Sequence, residues 1–274
     1  MKPFFNVLVH FAMISLSFIF LIPLLWMLST SLKSPEQIFL SNIKWIPNPF
    51  VPENYIKAFQ YVDLLNAFKN TIFLCIVNVA GVLFSSSLAA YAFSVLKWKF
   101  RNIFFYLTLA TMMLPEMVTL VPQFVLFQKL GWYGTFMPLI APYLCGSAFY
   151  IFLLKQFFMT IPRDLHEASS IDGCSEFDIY RKIYLPLSVP ALSVVALFQF
   201  LITWNDLMKP SIYLIDQNQY TLSLALQQYK AQHGGTEWAL LMAGATIIVL
   251  PIVLMFFLTQ KTFVEGITMT GIKE

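Results

Sequence analysis

Residues 70–96 read NTIFLCIVNVAGVLFSSSLAAYAFSVL, a run of 27 positions without Asp, Glu, Lys or Arg, closed by Lys69 on one side and Lys97 on the other. As an α-helix rising about 1.5 Å per residue it reaches roughly 40 Å, enough to cross a hydrocarbon core of about 30 Å. Charges stay out of such a run because an unpaired ion at the bilayer centre costs roughly 2.5–3.5 kcal/mol on the mildest scale. The pattern recurs along the chain at 3–32, 102–128, 130–154, 183–205 and 238–260, with Glu116 as the sole interruption in the second of these. Six membrane-spanning helices are therefore expected, in an all-α integral membrane protein. The stretch 217–229 is shorter and holds four glutamines, so it reads as a surface segment.

Composition excludes the other broad classes. The chain of 274 residues is 58% hydrophobic and 11% charged, whereas about 25% of residues are charged in a soluble domain. A formal net charge of +3 supplies no basic field for nucleic acid. The apolar run after Lys2 is too long for the 7–15-residue core typical of a cleaved signal and lacks an A-x-A site, so a retained first helix is the simpler reading. Six spans put both termini on one side. Ten of the 17 Lys and Arg, including all three Arg, then fall on that side, most densely at Lys97-Trp98-Lys99-Phe100-Arg101, which marks it as cytoplasmic. Pro115, Pro122, Pro138, Pro142, Pro186, Pro190 and Pro251 open or interrupt the later spans, where each removes a backbone donor.

The tools of an enzyme are missing from the pattern. Cys75, Cys145 and Cys174 are single and far apart, His10, His166 and His233 fall in different segments, and no H-E-x-x-H occurs. Gly266 and Gly271 have the spacing of a phosphate-binding loop, but Ile272 stands where its lysine belongs. No catalytic residues, no metal site and no cofactor are expected in this chain. Energy for any transport would come from a partner or an ion gradient.

Charge concentrates between Lys155 and Lys182, which hold nine of the 31 charged residues. Pro162 suits the start of a helix and Asp164 its positive end, which predicts one short helix over 163–171 closed by Gly173. Ser175 with Asp178 resembles a capping box and predicts a second helix toward Leu185, ending before Pro186. Ala168, Ser169 and Ser170 give the first helix a small-residue face that another protein could approach closely.

Glu167-Ala168-Ser169, then Gly173 after three intervening residues and preceded by Asp172, then Ile183-Tyr184-Leu185-Pro186 after nine more intervening residues resemble the EAA motif of permease subunits in binding-protein-dependent ABC importers. Ser169 in place of a second alanine is the one departure. Ser31-Leu32-Lys33, Val121-Pro122, Leu130-Gly131, Phe157-Phe158 with Ile161-Pro162, Trp204-Asn205-Asp206 and the stretch from Gln260-Lys261 to Gly271 are similar to maltose-type carbohydrate permeases, which extends the resemblance over nearly the whole chain. It implies six spans with a type I importer core at 70–260, preceded by a first helix and outer segment at 1–69 and followed by a cytoplasmic tail at 261–274. It also implies a coupling helix between spans four and five, formed by Glu167, Ala168, Ser169, Asp172, Gly173, Ile183, Leu185 and Pro186. The implied partners are a second, different permease, two ATPase subunits that do the hydrolysis, an extracytoplasmic solute-binding protein, a carbohydrate substrate and the lipid of the inner membrane.

Four residues are candidates for the substrate path. The Trp204 indole could stack on a sugar while Asn205 and Asp206 bond its hydroxyls; equally, tryptophan anchors helices at the membrane interface and Asp206 marks a helix end. Glu116 is either an intramembrane functional acid or a turn residue beside Pro115. The outer segment 34–69 is expected to be ordered, against a binding protein or the second permease. Import of a non-sugar solute such as an amino acid, polyamine or phosphate compound is the alternative. A secondary transporter is a more distant one, since it would need more intramembrane acids.

Overall fold

A computed structural model of the chain describes residues 2–40, 42, 44–230 and 236–271; His233 and Lys273 lie outside this set. Among the described residues, every regular element is helical. They are α1 (Lys2–Ser31), α2 (Pro35–Ile38), α3 (Glu53–Tyr61), α4 (Leu64–Ser94), α5 (Arg101–Thr111), α6 (Glu116–Lys129), α7 (Met137–Leu144) and α8 (Ala148–Phe158). There follow α9 (Arg163–Ile171), α10 (Glu176–Ile179), a π turn (Tyr180–Tyr184), α11 (Leu185–Leu187), α12 (Val189–Asn205), α13 (Met208–Tyr213), α14 (Leu222–Gln227) and α15 (Trp238–Gly271).

Among the described residues, four helical stretches are long and apolar enough to cross a membrane, Phe5–Ser31, Leu64–Ser94, Met137–Phe158 and Trp238–Phe257. The third and fifth charge-free runs are bent instead. α5 and α6 meet at 96°, and the 176–187 helix meets α12 at 78°; counted as one span each, they bring the total to six. Proline explains both corners. Leu114 precedes Pro115, which disfavours helical backbone at 114, and Pro115 itself is extended with ψ 136°. At the second corner Ser188 leaves the helical region, and Pro190 follows within the first two positions of α12, where its missing N–H costs nothing. The fourth run breaks more gently between α7 and α8 at Gly146, whose φ of +82° suits glycine.

The chain folds as two compact units, one of residues 1–67 with 222–253 and the other of residues 68–221 with the chain from Leu254 on. In the first unit no side chain from Phe5 to Ser29 is buried, so α1 presents a continuous apolar surface. Its end is pinned by Asn54 of α3, whose Nδ2 donates to the carbonyls of Ser31 and Lys33, both at 2.9 Å. The Tyr229 hydroxyl donates to the Ala58 carbonyl at 2.7 Å and its ring stacks on Tyr61. Within the segment 34–69 the helices are α2, α3 and the start of α4, and the other described residues are irregular.

The second unit is packed around α4, α8, the π turn and α12, where Tyr91, Leu154, Phe158, Tyr184 and Val195 are buried. In lipid the hydrophobic effect does not drive helices together, so close packing and hydrogen bonds must. α4 accordingly carries small residues. A Cβ at Gly81 would come within 2.6 Å of the Leu144 side chain, and the Ser85 and Ser86 hydroxyls lie 3.3 Å from where a Gly146 Cβ would stand.

Candidate functional site

The EAA-like loop is built by local rules. α9 opens after Pro162 with Asp164 in its first turn. It closes in a Schellman arrangement: the Cys174 N–H donates to the Ser169 carbonyl at 3.0 Å and the Gly173 N–H to that of Ser170 at 3.2 Å, with Gly173 at φ +83°. Ser175 then caps α10, its Oγ accepting from the Asp178 N–H at 3.2 Å and donating to Asp178 Oδ2 at 2.6 Å. The helix does not stop before Pro186 but runs through it to Leu187. A widened turn makes this possible, since the Leu185 N–H reaches back five residues to the Tyr180 carbonyl just ahead of the proline that lacks a donor.

No residue of α9 is buried. Glu167, Ala168 and Asp172 are exposed, Ser169 is half-buried, and Ile171 is 86% exposed. Ile183 and Leu185 pack at the edge of the core while Pro186 is exposed. What holds the loop is a set of contacts that sequence reading missed. Glu176 Oε2 accepts from the Tyr91 hydroxyl of α4 at 2.8 Å and lies 3.2 Å from His166 Nε2 of α9. The Ser87 and Tyr180 hydroxyls are 2.7 Å apart, a second tie to α4. Between α9 and the turn at Lys97 and Trp98 lies an open groove of about 960 Å³, lined also by Arg163, His166, Glu167 and Ile171.

Glu116 and Asp206, 90 positions apart, come together on Lys209. Lys209 Nζ is 2.7 Å from Glu116 Oε1 and donates to the Tyr143 hydroxyl at 3.0 Å, and its backbone N–H donates to Asp206 Oδ1 at 3.2 Å. Burial, with a push from the Glu116 charge, raises the Asp206 carboxyl above its ordinary pKa despite Lys209. Burial alone would lower Lys209, but the oxygens of Tyr143 and Glu116 hold its ammonium above the usual lysine range. Deeper in, Asn78 Nδ2 donates to the Leu139 carbonyl at 3.0 Å and Gln199 Nε2 to Thr203 Oγ1 at 3.0 Å. The Trp204 ring is 1% exposed, stacked on Phe200 and met edge-on by Phe68, and Asn205 Nδ2 turns back to the Leu201 carbonyl. Asn78, Gln199 and Thr203 were open to discovery as polar residues inside apolar runs; attention to charge alone passed over them.

The family model described as binding-protein-dependent transport system inner membrane component matches residues 81–268. The chain belongs to that family. It is therefore a multi-pass membrane permease of an ABC transporter. It is 31% identical to the arabinooligosaccharides transport system permease protein AraQ of Halalkalibacterium halodurans, over 99% of this chain and 98% of that one. It is 30% identical to the trehalose/maltose transport system permease protein MalG of Thermococcus litoralis, over 98% and 97%. The fold is shared with a chain of a bacterial ABC transporter involved in the import of the acidic polysaccharide alginate, at TM-score 0.84 and 20% identity over 94% of this chain and 96% of that one. The matched segment of this permease includes the α9 loop and the Glu116–Lys209–Asp206 cluster.

Proposed function

We propose that this permease is one transmembrane half of an ATP-driven importer that receives a carbohydrate from an extracytoplasmic binding protein. In this reading α9 is the coupling helix, offered to a separate ATPase subunit, and the two bent pairs each make one span, giving six with both termini cytoplasmic. The observation that carries the reading is α9 itself: a helix with no buried residue, ended by a left-handed glycine and tied through Glu176 to α4. Such an element buries no residue in its own core and leaves its outer face open to be gripped by another protein. Its rigid continuation through the π turn into Leu187 would transmit that grip to α12 as a rigid-body movement. The relatives named for arabinooligosaccharide and for trehalose and maltose transport support carbohydrate as cargo.

The Glu116–Lys209–Asp206 cluster is the polar part of the substrate path in this proposal, with Tyr143 beside it. Trp204 serves as framework rather than wall, since it is 1% exposed, stacked on Phe200 and in T-shaped contact with Phe68. The test is affinity purification from native membranes, wild type beside Gly173→Asp. An ATPase bearing a phosphate-binding loop should accompany the wild type and be lost from the variant, and labelled oligosaccharide uptake should fall with it. A wild-type chain that emerges without an ATPase, under conditions that keep other importers assembled, overturns the reading.

A further inference from the structure

Lys33, the last residue of the Ser31-Leu32-Lys33 stretch, is a cation without a counter-ion among the described residues. It is 2% exposed and makes no ion pair among the described residues; its ammonium rests 4.0 Å from the centroid of the Trp26 ring. Its backbone is tied to α3 through the Lys33 carbonyl, which accepts from Asn54 Nδ2 at 2.9 Å. A buried ammonium with only an aromatic face for company is expensive, and burial lowers its pKa accordingly. Two further donors nearby are unspent. Thr30 Oγ1 and Gln37 Nε2 are buried and have no hydrogen-bond partner among the described residues, although Gln37 Oε1 accepts from the Asn48 N–H at 3.2 Å. All three side chains line one small cavity of about 60 Å³, together with Trp26 and Lys44, and no carboxylate of the described residues lines it.

We propose that this cavity at the end of α1 binds a phosphate-type oxyanion, with Lys33 and Lys44 neutralising its charge and Thr30 Oγ1 and Gln37 Nε2 donating to its oxygens. Each feature then has a purpose: two cations, two free donors and room for several waters or one phosphate group. Phospholipid is a ready source, since the cavity lies at the end of an apolar stretch, Phe5–Ser31, long enough to cross the bilayer, where head groups are expected and where tryptophans such as Trp26 and Trp45 are at home. Free phosphate is the other source of the same chemistry.

The full chain, purified in dodecyl maltoside, separates these by native mass spectrometry with dioleoylphosphatidylglycerol, with phosphate-free dioleoylglycerol, and with inorganic phosphate. Wild type should hold phosphatidylglycerol about tenfold more strongly than Lys33→Met, with Lys129→Met, at an exposed position, matching wild type. Lys33-dependent binding of inorganic phosphate but not of the lipid keeps the site and assigns it to the free anion. Equal binding by wild type and Lys33→Met in both phosphate arms, or equal Lys33 dependence with dioleoylglycerol, overturns the proposal. Should Lys33→Met fail to fold, Gln37→Leu keeps the charge and removes one donor; it should weaken the phosphate adduct about threefold, and an unchanged adduct would be equally fatal.

Discussion

Lys209 and Glu116 form one ion pair, yet removing either partner has a different consequence. The Glu116 side chain is 68% exposed and Lys209 only 20%. Glu116→Gln is expected to cost less than about 1 kcal/mol, the usual worth of an exposed pair. Lys209→Met also strips Tyr143 of its partner and leaves the raised Asp206 carboxyl without its neighbouring cation, so about 1–3 kcal/mol is expected. Thermal unfolding of the two variants in detergent checks the order, and equal shifts would mean that Tyr143 and Asp206 gain nothing from Lys209. A second residue-level prediction concerns the ties of the loop. Tyr91→Phe deletes one hydrogen bond to Glu176 and should cost about 1 kcal/mol, while proteolysis within 163–175 should quicken. Unchanged proteolysis would show that the Glu176 tie does not restrain α9.

For α9 the decisive feature is the glycine that ends it. A Cβ at Gly173 meets nothing within 4 Å, so a side chain there is opposed by the φ of +83° alone, at roughly 1–2 kcal/mol. Aspartate tolerates that region better than alanine does. Gly173→Asp should therefore unfold no more readily than Gly173→Ala, and if α9 docks into a cleft it should nonetheless transport less. Comparing melting temperature with uptake in the two variants separates strain from docking. Gly81 of α4 is the opposite case. Its backbone is ordinary helix, but added atoms run into Leu144, so Gly81→Val should destabilise by about 1–3 kcal/mol through overpacking. Restoration by Leu144→Ala would identify the clash as the cause.

Across the whole molecule the prediction is one of sidedness. With the native cysteines replaced by serine, single cysteines at Lys99 and Ser175 should react with a membrane-impermeant maleimide from the same side, and one at Lys44 from the other. Labelling of 99 and 175 from opposite sides would break the six-span count.

Some of this was legible in one dimension because the forces involved are local. A charge in hydrocarbon is costly wherever it lies, so charge-free runs alone mark the helices that can cross; a proline lacks its donor in any surroundings; a glycine ten residues ahead of Ile183 closes a helix by its own φ preference. Even so, the third and fifth runs proved bent, because whether a proline kinks or breaks a helix depends on what receives the freed carbonyls. The meeting of Glu116 with Lys209 and Asp206, the bond from Tyr91 to Glu176, and the empty-handed donors around Lys33 belong to tertiary structure alone. Side chains separated by tens of positions meet only through the packing of the helices between them, and neither hydropathy nor spacing records that packing.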